Sequence, residues 1–341
     1  MTIHARIAGL GKYHPERVVT NADIERMVKT SDTWIQERTG VRERRIAADD
    51  ETTSTLGIHA ARQALEQAGI APEDLDLIIV ATCTPDGMLP AAASLVQEGL
   101  GARRAAAFDI NAVCTGFLTA LATASQFIQT GTYRRVLVIG SEVLSRIIDW
   151  TDRGTCVLFG DGAGAVVLEA SDRGGPLSFV LHSDGSGAQA LFAPGPCARP
   201  TDAEPGRYFV EMDGKRIFKI AVQAMEEATR EAVAAAGMTV DDIDLLVPHQ
   251  ANLRIINATA KALGLPMERV MVNVDRYGNT SAASIPMALR EAFDEGRLHD
   301  GDRIVFVAFG GGLVWGAMVL EWAPVGPVRL AEAARAATGG S

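Results

Sequence analysis

The sequence lacks most of what would point to a metal, a nucleic acid or a membrane. Its four cysteines (Cys83, Cys114, Cys156 and Cys197) stand 31, 42 and 41 residues apart without a C-x-x-C, and its six histidines form no H-E-x-x-H. That spacing argues against a zinc site or a disulfide framework and leaves free thiols, which usually behave as small buried hydrophobes. Basic charge is also short: 32 Lys and Arg against 42 Asp and Glu give a net charge of −10. Neutralising nucleic-acid phosphates needs the opposite excess, so nucleic acid is not the expected partner. No apolar run reaches the ~18 residues of a membrane span. The start Met1-Thr2-Ile3-His4-Ala5-Arg6 has no signal-peptide core, so a cytoplasmic protein without a membrane partner is expected.

Nucleotide fingerprints are missing too. Gly160-Asp161-Gly162-Ala163-Gly164 precedes a strand-like run instead of following one, Gly9-Leu10-Gly11 lacks a third glycine, and no phosphate-loop Lys motif occurs. Neither a nicotinamide cofactor nor ATP is indicated.

What is present is a long, apolar-rich chain carrying a duplication. At 341 residues and 48% hydrophobic content the chain has room for about two domains. The stretch Ala64 to Ile70 followed by Glu73 to Val80 recurs, 168 positions on, as Ala232 to Met238 followed by Asp241 to Pro248. Each copy reads as a helix, a glycine stop, an acidic turn and a short buried strand. The same offset carries Arg135 to Gly140 onto Arg303 to Ala308. Two matches at one offset argue for two copies of one α/β unit. The apolar runs Leu77 to Ala81, Val136 to Ile139 and Ile304 to Phe309 do not alternate, which predicts mostly parallel sheets covered by helices. Two such units sharing central helices make a five-layered α-β-α-β-α arrangement. The expected division is a first half over 1–170, an inter-half loop region over 171–216, a second half over 217–322 and a tail over 323–341. The loop region holds Pro194-Gly195-Pro196 and Arg199-Pro200-Thr201-Asp202.

Chemistry has four natural places. Cys114 follows the strand-like run Ala105 to Ile110 and precedes a helical pattern with apolar residues at 117, 118, 121, 124 and 128, closed by Gly131. A thiol at a helix N-terminus feels the positive end of the dipole, which favours the reactive thiolate. A buried cysteine in a tight turn fits the same pattern. His249 lies just after the strand Leu245 to Val247, where open α/β sheets bind ligands, although a histidine there can also be structural. Gly278-Asn279-Thr280-Ser281-Ala282-Ala283-Ser284 follows the strand-like run Val270 to Val274 and is the counterpart of the Cys114 segment, with Ala282 opposite Cys114. Asn279 can donate an amide N–H. Gly310-Gly311-Gly312 can expose a backbone N–H to an oxyanion or form a bulge.

Taken together these segments resemble the β-ketoacyl-acyl carrier protein synthase III family of the thiolase superfamily, the initiating condensing enzymes of bacterial fatty acid synthesis. The resemblance rests on Thr30 to Ile35, Arg38-Thr39-Gly40, Thr151 to Thr155, Phe159 to Ala165, Val247 to Arg254, Gly278 to Ser284 and Ala308 to Gly312, and runs from about residue 9 to 322. It implies a thiolase-like fold and a decarboxylative Claisen condensation of an acyl-CoA starter with malonyl-acyl carrier protein. Cys114 would form the acyl-enzyme, and the backbone N–H groups of Cys114 and Gly311 would hold the oxyanion. His249 and Asn279 would donate hydrogen bonds to the enolate. By the same resemblance Trp34, Arg38 and Arg153 would contact the CoA adenine end, and Gly214 and Asn252 would line the pantetheine channel. Lys215, Arg216, Lys219 and Arg254 would receive the acidic carrier protein. The family is homodimeric and needs no metal or redox cofactor; acyl-CoA is a substrate. Leu89 falls where many relatives place a Phe that crosses from the partner subunit into the acyl pocket, and the smaller side chain would admit a branched or medium-length starter. Val113 and Thr115 stand where relatives often carry alanines. Alternatives on the same fold are an acyltransferase or condensing enzyme of secondary metabolism, of polyketide or quinolone type. A catalytically silent acyl-binding subunit would be expected to lack Cys114, and a cysteine hydrolase would want a carboxylate to orient His249.

Overall fold

The protein is described by a computed structural model covering residues 3–195, 197 and 208–327. Pro196, the segment Arg199 to Asp202 and the tail beyond residue 327 lie outside the described residues.

Two sheets carry the fold. The first has five strands in the spatial order His4–Tyr13, Gly162–Ser171, Arg135–Glu142, Leu77–Ala81 and Ala106–Ile110. The second has four, in the order Leu245–Pro248, Arg303–Gly310, Val314–Glu321 and Gly175–Ser183. The strands Leu77–Ala81 and Leu245–Pro248 pair in parallel with Arg135–Glu142 and Arg303–Gly310 at matching registers, Leu77 with Val136 and Leu245 with Ile304. The 168-residue offset of the sequence is therefore an offset of structure.

Strand pleating accounts for the layers. In Leu77–Ala81 the residues Leu77, Ile79 and Ala81 face the space between the sheets, while Ile78 and Val80 face the outer helices Thr53–Ala68 and Ala92–Leu100. In Arg303–Gly310 the residues Ile304, Phe306 and Ala308 face inward, and Val305, Val307 and Phe309 pack toward Gly214–Ala235 and Leu253–Leu263. Between the sheets lie Gly116–Gln129 and Ser284–Asp294, giving five layers with three apolar interiors. Phe117, Leu118, Leu121, Ala124 and Ile128 are all buried on the inner face. Truncating Phe117 to Ala would cost about 3–5 kcal/mol. Both faces of each central strand are covered, which is why their sequences do not alternate.

Three expectations need correction. The sheets are mixed, because Gly162–Ser171 runs antiparallel to both its neighbours and Val314–Glu321 does the same in the second sheet. A strand buried on both faces reads alike in either direction, so composition does not reveal polarity. Next, the segment 171–216 is not all loop: Gly175–Ser183 is the edge strand of the second sheet, and the helix Gly214–Ala235 starts before residue 217. Finally, the run Val270 to Val274 makes a single parallel bridge, Leu246 with Val270, and then turns into the short helix Val274–Tyr277.

The two glycine look-alikes have a packing role. A Cβ on Gly9 or Gly11 would lie 2.0 or 1.9 Å from carbonyl oxygens of the helix Thr53–Ala68. A Cβ on Gly164 would lie 2.7 Å from the backbone nitrogen of Met287. These glycines let strands and helices approach closely.

Candidate active site

The carboxyl ends of the strands of both halves meet at one place. After Ala106–Ile110 the chain turns through Val113 at φ +48° into the short 3-10 turn Val113–Thr115 and the helix Gly116–Gln129. A β-branched residue at positive φ costs on the order of 1–3 kcal/mol and persists only where its surroundings fix it. Here Thr115 Oγ1 donates to the Ala112 carbonyl at 2.8 Å. From the other half Gly310 closes over the turn, and a Cβ on it would lie 2.9 Å from Cys114 Cβ. The result is a Cys114 side chain held at a helix N-terminus and only 5% exposed.

Burial pushes the Cys114 thiol up to about 12. The Ser281 hydroxyl and the cysteine's own backbone N–H pull the other way, and the Glu142 carboxylate adds to the rise. Ser281 Oγ makes no hydrogen bond of good geometry, so it acts on the thiol as a nearby dipole. The expected thiolate-favouring helix terminus is thus outweighed by desolvation, and the resting group is a neutral thiol.

His249 follows Leu245–Pro248, and its backbone N–H donates to the Val307 carbonyl at 2.8 Å. Gln250 clamps this turn: its Nε2 donates to the carbonyls of Pro248 and Met271, and its Oε1 accepts from the backbone N–H groups of Asn273 and Val274. The His249 ring is 1% exposed, and its Nδ1 shares a hydrogen bond of 2.7 Å with Ser284 Oγ. Burial lowers the imidazole to about 3, so it is neutral at physiological pH. A neutral imidazole can present one N–H and one lone pair.

Asn279 is fixed through its acceptor side. Its Oδ1 accepts from the Ser281 N–H at 2.8 Å, its own N–H donates to the Leu158 carbonyl at 2.8 Å, and its carbonyl accepts from Gly160 at 3.1 Å. The amide NH2 remains to act as a donor. Gly160 is required there because a Cβ would lie 2.2 Å from the Tyr277 carbonyl.

Cys114, His249, Asn279 and Phe309 share one cavity of about 710 Å3 with Trp34, Arg38, Gly214, Lys215, Asn252 and Arg254. It runs from exposed Arg38, Lys215 and Arg254 to the buried thiol. Near the outer end the Arg153 guanidinium lies 4.8 Å from the centre of the Trp34 ring. Gly214 opens the helix Gly214–Ala235. Asn252 caps the helix Leu253–Leu263: its Oδ1 accepts from Arg254 N, and its Nδ2 donates to the Arg38 carbonyl. Lys215, Arg216, Lys219 and Arg254 are exposed around this region, with the Arg254 guanidinium 5.2 Å from the Phe218 ring. Gly311 is one residue beyond the glycine that packs on Cys114, and its Cβ position faces the Leu191 carbonyl. Leu89 is 89% exposed and does not line this cavity.

Sequence reasoning gave no individual role to Gln250, Phe309 or Ser284, and it named Gly310 only as part of the glycine triplet, without its packing on Cys114. The signal for Ser284 was available in the repeat, since it stands 168 positions after Gly116 at the start of the equivalent helix.

A cysteine at a helix N-terminus, a neutral histidine and an oriented asparagine at the end of an apolar cavity, on a duplicated α/β fold, define a thiolase-fold condensing enzyme. The comparisons with known proteins agree. Residues 108–185 match the family described as 3-oxoacyl-[acyl-carrier-protein (ACP)] synthase III, and residues 233–322 match its C-terminal counterpart. The chain is 56% identical over 321 residues to the β-ketoacyl-[acyl-carrier-protein] synthase III of Symbiobacterium thermophilum, covering 93% of this chain and 97% of that protein. The crystal structure of 3-oxoacyl-[acyl-carrier-protein] synthase III from Aquifex aeolicus VF5 superimposes with a TM-score of 0.89 at 48% identity, covering 93% of this chain and 100% of the other. The priming β-ketosynthase of the R1128 polyketide pathway gives a TM-score of 0.89 at 38% identity, covering 95% and 98%. The chain belongs to the β-ketoacyl-[acyl-carrier-protein] synthase III family and is an acyltransferase that condenses acyl groups.

Proposed function

We propose that this chain loads an acyl group from acyl-CoA onto Cys114 and condenses it with malonyl-acyl carrier protein, releasing CO2 and a β-ketoacyl-acyl carrier protein. The observation that carries this reading is the convergence of Cys114, His249 and Asn279 on one cavity. Cys114 sulfur attacks the thioester carbonyl, and CoA leaves as its thiol. Backbone N–H groups of Cys114 and Gly311 receive the oxyanion. When malonyl-carrier protein loses CO2, His249 and Asn279 donate to the enolate oxygen, and the enolate carbon attacks the acyl-Cys114 carbonyl. These steps call for no metal or redox cofactor.

Trp34, Arg38 and Arg153 suit the adenine of CoA, because an indole and guanidinium planes can sandwich an aromatic base. Gly214 and Asn252 flank the passage for the pantetheine arm. Lys215, Arg216, Lys219 and Arg254 form a basic rim for an acidic carrier protein despite the net charge of −10. A homodimer is supported by the edge strand Ala106–Ile110, which bears the half-buried Phe108 and Ile110, and by Met88 and Leu89, exposed at 65% and 89%. Leu89 of a partner subunit would then bound the acyl pocket. Among the described residues no helix is long and apolar enough to cross a membrane, in keeping with work in the cytoplasm.

The identity to fatty-acid-type relatives exceeds that to the polyketide priming enzyme, which favours initiation of fatty acid synthesis over a secondary-metabolite pathway. The test is product analysis with acyl-CoA and malonyl-acyl carrier protein. A β-ketoacyl-carrier protein with stoichiometric CO2 is expected, and acyl transfer without decarboxylation would overturn the reading.

A further inference from the structure

The proposed reaction asks two different things of His249. During loading the ring must offer a lone pair at Nε2 to take the Cys114 proton. During decarboxylation it must offer Nε2–H to the enolate oxygen. A buried imidazole partnered at Nδ1 by a carboxylate or a backbone carbonyl would be locked with the proton on Nδ1, since those groups only accept. In this structure the Nδ1 partner is a hydroxyl. Ser284 Oγ lies 2.7 Å from it, and both residues are 1% exposed. A serine hydroxyl can accept from Nδ1–H or, after rotating, donate to a bare Nδ1.

The other half of the molecule gives an independent observation. The 168-residue offset places Gly116 opposite Ser284 and Ala81 opposite His249. A Cβ on Gly116 would lie 3.2 Å from Ala81 Cβ, so these two positions face each other in the first half just as Ser284 and His249 do in the second. The fold thus builds the same pair of facing positions twice and fills only the pair at the cavity with a hydroxyl and an imidazole.

We propose that Ser284 is a positioning residue that lets His249 exchange tautomers between the two half-reactions. The proposal rests on the function proposed above. In loading, Ser284 Oγ accepts from Nδ1–H and Nε2 takes the Cys114 proton. The sulfur–carbonyl carbon bond forms, the bond from that carbon to CoA sulfur breaks, and Nε2 returns the proton to the CoA thiolate. Between the half-reactions Nε2 takes one proton from solvent and the ring gives its Nδ1 proton up to solvent, so that in condensation Ser284 donates to bare Nδ1 and Nε2–H faces the substrate. The C–CO2 bond breaks, its electron pair passes to the enolate stabilised by Nε2–H and Asn279, and the enolate carbon displaces Cys114 thiolate, which takes one proton from solvent.

The test follows the two half-reactions separately in the full chain: acyl-Cys114 formation from acetyl-CoA by intact mass, and CO2 release from malonyl-carrier protein. In Ser284→Ala both kcat values should fall roughly 10-fold to 100-fold with KM nearly unchanged. The 15N shifts of the His249 ring in the unmutated protein give a readout that needs no variant. Nε2 should move from lone-pair to N–H character when Cys114 is acylated. The same tautomer before and after acylation, or Ser284→Ala working at the unmutated rate, would overturn the proposal. Failure of the unmutated protein in both half-reactions would instead count against the assigned function, and the proposal would fall with it.

Discussion

The turns at Val113 and Ser281 are the same piece of backbone built twice. Each holds a non-glycine residue at positive φ, 48° and 47°, and each opens a central helix. One is followed by Cys114 and the other by Ala282, and the asparagines Asn111 and Asn279 stand at equivalent positions before them. The strained geometry is therefore a property of the fold. Reactivity belongs to one side only, because the thiol comes from the first half while His249, Ser284 and Asn279 come from the second. A duplicated unit has become a single site through different residues at matched positions.

The largest effect should come from moving the thiol across this axis. The double substitution Cys114→Ala with Ala282→Cys keeps a cysteine on an equivalent turn but removes it from the cavity. Turnover should fall roughly 10^4-fold, with no acyl-enzyme on position 282. Acylation there would show that the turn alone makes a nucleophile. Next in size are His249→Ala and Asn279→Ala, expected to slow condensation roughly 10^2-fold to 10^3-fold. Asn279→Ala should still accumulate acyl-Cys114, and an equal loss of loading would contradict its assigned role.

Glycines at the axis sharpen the contrast further. A Cβ on Gly140 would lie 2.2 Å from the Ala282 carbonyl, a rigid backbone atom, whereas a Cβ on Gly310 would meet Cys114 itself. Gly140→Ala should lower stability by about 1–3 kcal/mol in denaturant melts. Gly310→Ala should lower acyl-enzyme formation more than it lowers stability.

The pH dependence separates the halves as well. His249 goes from an ordinary value of 6.5 to about 3 on burial, so the unfolded chain binds a proton that the native chain refuses. Its favourable contribution is complete above pH 6.5 and is lost as pH falls toward 3, at a slope of about 1.4 kcal/mol per pH unit. Replacing His249 with Gln should flatten that part of the stability profile, and an unchanged slope would place the proton uptake elsewhere. The smallest effect is expected at the outer end of the cavity: Trp34→Ala should raise KM for acyl-CoA by roughly 10-fold and leave kcat nearly unchanged.

Much of this was legible in the sequence. The offset that aligns Leu77 with Leu245 gave the two sheets and their central helices, and residues at helix starts and strand ends gave Cys114, His249 and Asn279. Strand direction was hidden, because Gly162–Ser171 is apolar on both faces whichever way it runs. Gly175–Ser183 was hidden behind its glycine- and serine-rich surroundings. The dipole of a helix terminus can be read from spacing, whereas the depth of burial that raises the Cys114 thiol depends on Gly310 and the opposite half.

The most direct test of the account is the intact mass of the protein after incubation with a panel of acyl-CoAs, alongside Cys114→Ala. The account predicts a gain of one acyl group in the unmutated chain, removed by hydroxylamine and absent from the variant. Acylation of the variant, or of neither protein with any acyl-CoA, would contradict it.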